Sequence, residues 1–95
     1  KKFGGENKNL LSFPIEGYTL TLDFKQEKTL FPLLDELDSV VIDYGGRLYL
    51  AKDARMSEET FKAGYPEWEE FRKIKDRIDP STVFTSLQSR RIGLT

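Results

Sequence analysis

Tyr49 and Lys52 stand near the end of the segment Gly45-Gly46-Arg47-Leu48-Tyr49-Leu50-Ala51-Lys52-Asp53, where apolar and polar residues alternate. Strand ends next to loops are where sites are often built on mixed sheets. The plain alternative is a packed tyrosine and a solvated lysine, because most lysines are surface charges. Arg90 and Arg91 near the other end face the same choice between functional contact and surface charge. Glu67, Glu69, Glu70 and Asp76 gather around Trp68 and could be paired catalytic carboxylates, but helical spacing puts them on an exposed, solvated face.

The rest of the inventory is exclusion. The chain has neither histidine nor cysteine, which removes the commonest general base and metal ligand together with disulfides and thiolate metal sites. No metal site is expected. No Gly-rich phosphate loop and no zinc-protease signature occurs either. Fifteen basic and sixteen acidic side chains give a net charge of -1, so a surface for neutralising nucleic-acid phosphates is not expected. No apolar run reaches the roughly 20 residues of a membrane span, and no signal peptide is visible. A cytoplasmic location is expected.

These candidate groups need elements to position them. Ninety-five residues with 38% hydrophobic content suit a single domain spanning 1–95. Residues 1–16 read as loop or frayed strand. From Gly17, Tyr18, Leu20, Leu22 and Phe24 alternate with Thr19, Thr21 and Asp23, the period of a half-buried strand. Leu30, Leu33, Leu34, Leu37, Val41 and Tyr44 then recur every three or four residues, which predicts an amphipathic helix. Thr29 is its expected N-cap, Pro32 lies in its first turn and Gly45-Gly46 is its stop. Arg47 to Lys52 reads as a second strand, completing a β-α-β unit with parallel strands. Ser57 starts a short helix ending at Gly64. A further helix follows, with Trp68, Phe71, Ile74 and Ile78 as its buried stripe and Asp79-Pro80 as its end. Ser81 to Thr95 shows no clear periodicity. The expected class is α+β: a partial substrate (cap) domain with the β-α-β unit in a mixed or antiparallel sheet, flanking helices, and a C-terminal helical segment and tail. Lys1 heads the chain and Met56 is its single methionine, so a piece of a longer protein is expected.

Taken together, Ser12-Phe13-Pro14, Gly17 to Phe24, Gly45 to Arg55, Phe61 with Tyr65-Pro66, Phe71-Arg72, Asp79-Pro80, Val83-Phe84 and Ser89-Arg90-Arg91 resemble one family in order and register. The pattern is similar to the C-terminal substrate domain of FAD-linked oxidases of the vanillyl-alcohol oxidase group, in the branch of decaprenylphosphoryl-ribose oxidase and its bacterial relatives. The resemblance implies FAD, held mainly by an N-terminal domain absent from this chain. It also implies a sugar-type substrate whose hydroxyl is oxidised, and a fragment that is inactive alone. Lys52 would be the active-site lysine at flavin and substrate, with Tyr49 lining the same pocket. Lys1 falls where relatives carry another substrate-side lysine, and Thr19 and Thr21 stand where mycobacterial members carry asparagine and cysteine. Arg90 and Arg91 would pack against the FAD-binding domain or the flavin phosphates. Two other readings stand beside this one. Aldonolactone oxidases resemble the same tail but usually place His-Trp where Tyr49-Leu50 precedes Ala51-Lys52, and a free-standing α+β binding module without flavin would share the pattern of strand and helix.

Overall fold

The computed structural model describes all residues, Lys1–Thr95. Two short strands and four helices are present: β1 (Lys2–Phe3), β2 (Gly17–Tyr18), α1 (Leu30–Asp43), α2 (Glu58–Gly64), α3 (Trp68–Ile78) and α4 (Leu87–Arg91), with a 3-10 turn at Leu50–Lys52. The class is a small α+β fold.

The β-α-β unit expected from the alternation is not formed. β1 and β2 pair antiparallel, Lys2 opposite Tyr18 and Phe3 opposite Gly17, and Lys1 and Thr19 extend the pair by exchanging backbone bonds of 2.8 Å. Beyond Thr19 the alternating segment has no neighbour to complete a ladder, so Leu20 is 82% exposed and Leu22 and Phe24 also face outward. Alternation shows that a segment suits a half-covered sheet; the ladder itself needs a partner strand. The second expected strand is not formed: no ladder includes Arg47–Tyr49, Tyr49 is extended, and the chain then closes into the 3-10 turn. Its carbonyls are taken by side chains. The Tyr65 hydroxyl donates to Leu48 O at 2.6 Å and the Gln88 amide donates to Leu50 O at 2.7 Å, where a sheet neighbour would otherwise bond.

The helices follow their local signals closely. In α1, Pro32 is the third residue, so its missing N–H costs no intrahelical bond. Its end is a Schellman motif: Gly45 takes φ +72°, with Gly45 N–H donating to Ile42 O and Gly46 N–H to Val41 O. Thr29 occupies the N-cap position without a side-chain bond. α2 is capped by Ser57, whose hydroxyl accepts from Thr60 N–H at 3.1 Å, with Glu58 and Glu59 at the positive end of the helix dipole. α4 carries a reciprocal capping box between Ser86 and Ser89. It also closes with a Schellman motif, in which Gly93 at φ +74° donates to Arg90 O and Leu94 to Ser89 O.

Met56, Phe61, Tyr65, Ile92 and Leu94 form the buried core, joined by the half-buried Leu11, Leu48, Leu50, Trp68 and Phe71. Arg55, shortly after the 3-10 turn, ties the central segment to α1, reaching Asp35 at 2.6 Å and the buried Asp38 at 2.7 Å. The α3 stripe is only partly covered, Trp68, Phe71 and Ile74 being half-buried while Ile78 is 76% exposed. Likewise Leu33 and Tyr44, expected on the packed face of α1, are exposed. The contrast is testable by thermal unfolding. Phe61→Ala is expected to lower stability by about 3–5 kcal/mol, because it empties a fully buried site, whereas Ile78→Ala should stay within about 0.5 kcal/mol.

Candidate functional site

A line of aromatic rings ties the N-terminal hairpin to the central segment. Phe3 meets Phe13 edge to face with centroids 5.8 Å apart, Phe13 meets Tyr49 at 5.1 Å, and the Lys1 ammonium lies 5.5 Å from the Phe3 centroid. Such pairs hold their members in register beyond simple area burial. Lys1, Thr19 and Tyr49 therefore belong to one connected region, through β1, β2 and these rings. Thr21 lies beyond the paired part of β2 and is exposed.

Lys52 closes the 3-10 turn, and its N–H donates to Tyr49 O at 3.2 Å, which fixes the two residues relative to each other through the backbone. Lys52 is exposed, and none of the eight ion pairs includes it. Tyr49 is 50% exposed. A free ammonium on a fixed turn beside a half-open aromatic ring is a donor set that fits a planar ring bearing negative charge along one edge, as a reduced flavin does. The residues thus fit the cofactor that the family resemblance implies. A cleft of about 450 Å³ lies elsewhere, around Glu6, Asn7, Lys8, Ser12 and Arg47, and includes neither Tyr49 nor Lys52. The candidate site is an open wall.

Behind that wall sits a residue the sequence reading passed over. The Asp53 side chain is only 6% exposed; one oxygen accepts from Met56 N–H at 2.7 Å and Arg55 N–H at 3.0 Å, the other from Arg91 at 2.7 Å and Gln88 at 3.3 Å. Burial pushes its pKa up, but the Arg91 guanidinium, the two backbone N–H groups and Gln88 outweigh it and hold the carboxyl below the ordinary carboxylate value. An aspartate two residues before a turn N–H is a local signal for such a bond; the contribution of α4 carries no local signal.

Both arginines are on α4 but in different settings. The Arg91 guanidinium is engaged within the chain, by Asp53 and by Met56 O at 2.5 Å, while Arg90 is exposed and bonds Thr85 through its Nε. Glu67, Glu69, Glu70 and Asp76 are all exposed, and no group of His, Cys, Asp or Glu is arranged to hold a metal. No helix is long and apolar enough to cross a membrane. Tyr65, stacked on Phe61 with the Arg47 guanidinium 5.2 Å above its ring, has its pKa pushed up by burial to about 12.

Asp53 makes a pH prediction. Its folded-state pKa is lowered, so its contribution is fully present above the ordinary carboxylate value of 3.8 and is lost as pH falls through the lowered value. In an acid unfolding series, Asp53→Asn is expected to reduce stability at neutral pH and to flatten this part of the acid limb. An unchanged limb would show that the carboxylate is not stabilised by folding.

A family model described as D-arabinono-1,4-lactone oxidase matches residues 19–92. The chain is 45% identical over 94 residues to decaprenylphosphoryl-beta-D-ribose oxidase of Mycolicibacterium smegmatis, covering 99% of the chain and 20% of that protein. It is also 45% identical over 95 residues to a protein of Streptomyces coelicolor described as an uncharacterized protein in the mprA 5' region, covering 26% of that protein. An L-gulono-1,4-lactone dehydrogenase of Mycobacterium tuberculosis is 32% identical over 56 residues, 59% of the chain and 13% of that protein. The chain therefore spans about a fifth to a quarter of the length of the two relatives that it matches throughout. With the family model matching from Thr19 past β2 through α1, the central turn and α4, this chain belongs to the D-arabinono-1,4-lactone oxidase family.

Proposed function

We propose that the chain supplies the substrate-facing wall of the active site in a larger FAD-dependent oxidoreductase that oxidises a CH–OH group of a sugar or lipid-linked sugar. The FAD-binding domain would lie elsewhere in the same protein. The observation that carries this reading is the exposed, unpaired Lys52 on a pinned turn beside the half-open ring of Tyr49. In this reading the exposed alternation of Leu20, Leu22 and Phe24 pairs with further strands of a mixed or antiparallel sheet in the whole substrate domain.

FAD, when bound, supplies the two-electron acceptor for the carbinol carbon. The protein's share is placement and charge. The Lys52 ammonium would stand where it can offset negative charge on the reduced cofactor and donate hydrogen bonds toward the substrate hydroxyl. Tyr49 forms the wall against which the sugar sits, and Lys1, Thr19 and Thr21 offer hydrogen bonds along the hairpin. Arg90 and Arg91 would pack against the FAD-binding domain or the flavin phosphates, Arg90 having the freer guanidinium.

A second reading, an aldonolactone oxidase, draws on the description of the matching family model. Against it stands Tyr49-Leu50 before Ala51-Lys52, in place of the His-Trp usual in those enzymes. Offering the full-length protein an aldonolactone and a polyprenylphosphoryl pentose in parallel separates the two.

For the residue itself, Lys52→Ala in the full-length protein is expected to slow flavin reduction by roughly 10²-fold, the usual scale for loss of a charge-stabilising donor, while the circular dichroism spectrum is retained. Unchanged reduction at saturating substrate would overturn the assignment. The 95-residue chain alone is expected to let added FAD pass a filtration membrane and to show no oxidase activity. Absence of the flavin band near ~450 nm from the purified full-length protein would instead favour a flavin-free binding module.

A further inference from the structure

Lys52 has no side-chain contact that fixes it, and a lysine stem is flexible. Its reach is set by where the backbone places its Cα. That backbone is clamped from the C-terminal helix at two points. Gln88 donates to Leu50 O at 2.7 Å, at the first residue of the 3-10 turn, and to Asp53 at 3.3 Å, just past its last. Arg91 bridges Asp53 at 2.7 Å and Met56 O at 2.5 Å. The remaining oxygen of Asp53 holds Arg55 and Met56 N–H, so the chain leaving the turn is fixed as firmly as the turn itself. The Asp53 and Arg91 bonds are charge-assisted and mostly shielded from water, the kind that imposes geometry.

We propose that Asp53 is the positioning residue for Lys52, and that α4, through Gln88 and Arg91, sets where the Lys52 ammonium stands against cofactor and substrate. The inference rests on the reading of Lys52 as the active-site lysine. It gives the last helix a role in the reaction without contact with the reacting atoms, as outer-shell partners do for metal ligands. Asp53 keeps the turn in place after the cofactor and substrate bind, and a displacement of about 1 Å at such a site is enough to cost up to roughly 10²-fold in rate.

The test uses the full-length flavoprotein with Lys52→Ala, Asp53→Asn and the double variant, and reads the flavin reduction potential, the rate of flavin reduction at saturating substrate and hydrogen exchange at residues 50–56. Lys52→Ala is expected to lower the potential, since it removes a cation beside the ring. Asp53→Asn is expected to lower it in the same direction, to slow reduction about tenfold and to speed exchange at the Arg55 and Met56 amides. The double variant should fall no lower than Lys52→Ala alone, because both changes act through one group. Arg91→Lys, which keeps the charge but loses the two-point span, gives the same pattern at smaller amplitude and serves if Asp53→Asn does not fold. A normal potential in Asp53→Asn and in Arg91→Lys, with Lys52→Ala lowered, overturns the positioning role and leaves the site reading intact. Additive losses in the double variant overturn it as well. A normal potential in Lys52→Ala overturns the site reading and this inference together.

Discussion

The Asp53 carboxylate is the constraint on which the middle of the molecule depends. It receives two backbone N–H groups from the chain that follows it and two side chains from α4, so a single buried anion joins the central turn to the C-terminus across 38 residues of sequence. Removing such an anion leaves the Arg91 guanidinium short of a partner in a half-buried setting, which is costlier than never having placed the pair there. Arg55 and Asp38 repeat the device on a smaller scale, anchoring α1 to the segment that follows the central turn. Asp79 repeats it locally, accepting from Val83 and Phe84 N–H and from Lys75 as α3 ends.

Two buried acids, Asp38 and Asp79, and the nearly covered carboxylate of Asp53 accompany a sparse apolar core. Phe61, Tyr65, Met56 and Ile92 are close to fully covered, and the core draws on Met56 ahead of the Ser57 cap, Phe61 within α2, Tyr65 just after it, and Ile92 and Leu94 after α4. Gly64 permits this closeness, since a Cβ there would meet Arg47 at 3.1 Å. The aromatic line from Phe3 through Phe13 to Tyr49 is a separate attachment, and with the Arg47 bonds to Ser12 O and Glu6 it secures the N-terminal third.

Much of this was readable from residue order wherever the signal is local. The bounds of α2 and α3, the glycine stop of α1 and the place of Pro32 each follow from groups within a turn of one another. The strands were not, because alternation at Gly17 to Phe24 describes a surface that suits a sheet and cannot supply the neighbour. α4 went unread for a different reason: five residues carry too little periodicity, and its two caps depend on Ser86, Ser89 and Gly93 acting together. At the candidate site, Tyr49 and Lys52 were visible as residue types, while nothing local marked the Asp53 carboxylate as the group that holds their turn.

The two sides of the candidate site therefore owe their geometry to different sources. Lys52 stands on a turn whose bonds all close within the chain, through Tyr49, Asp53, Gln88 and Arg91. Thr21 stands on a segment whose ladder bonds stop at Thr19, and Thr19 is held by Lys1 alone. A preorganised charge must be fixed before the reaction begins to be worth its full electrostatic effect, and under the proposed function the closure around Asp53 would fix the backbone from which the Lys52 side chain reaches. Substrate contacts can instead be set by strands that pair from elsewhere in the protein. Under the proposed function, relatives would then share the Lys52 turn and its clamp across differing sugar substrates, with specificity varying along the Gly17 to Phe24 edge.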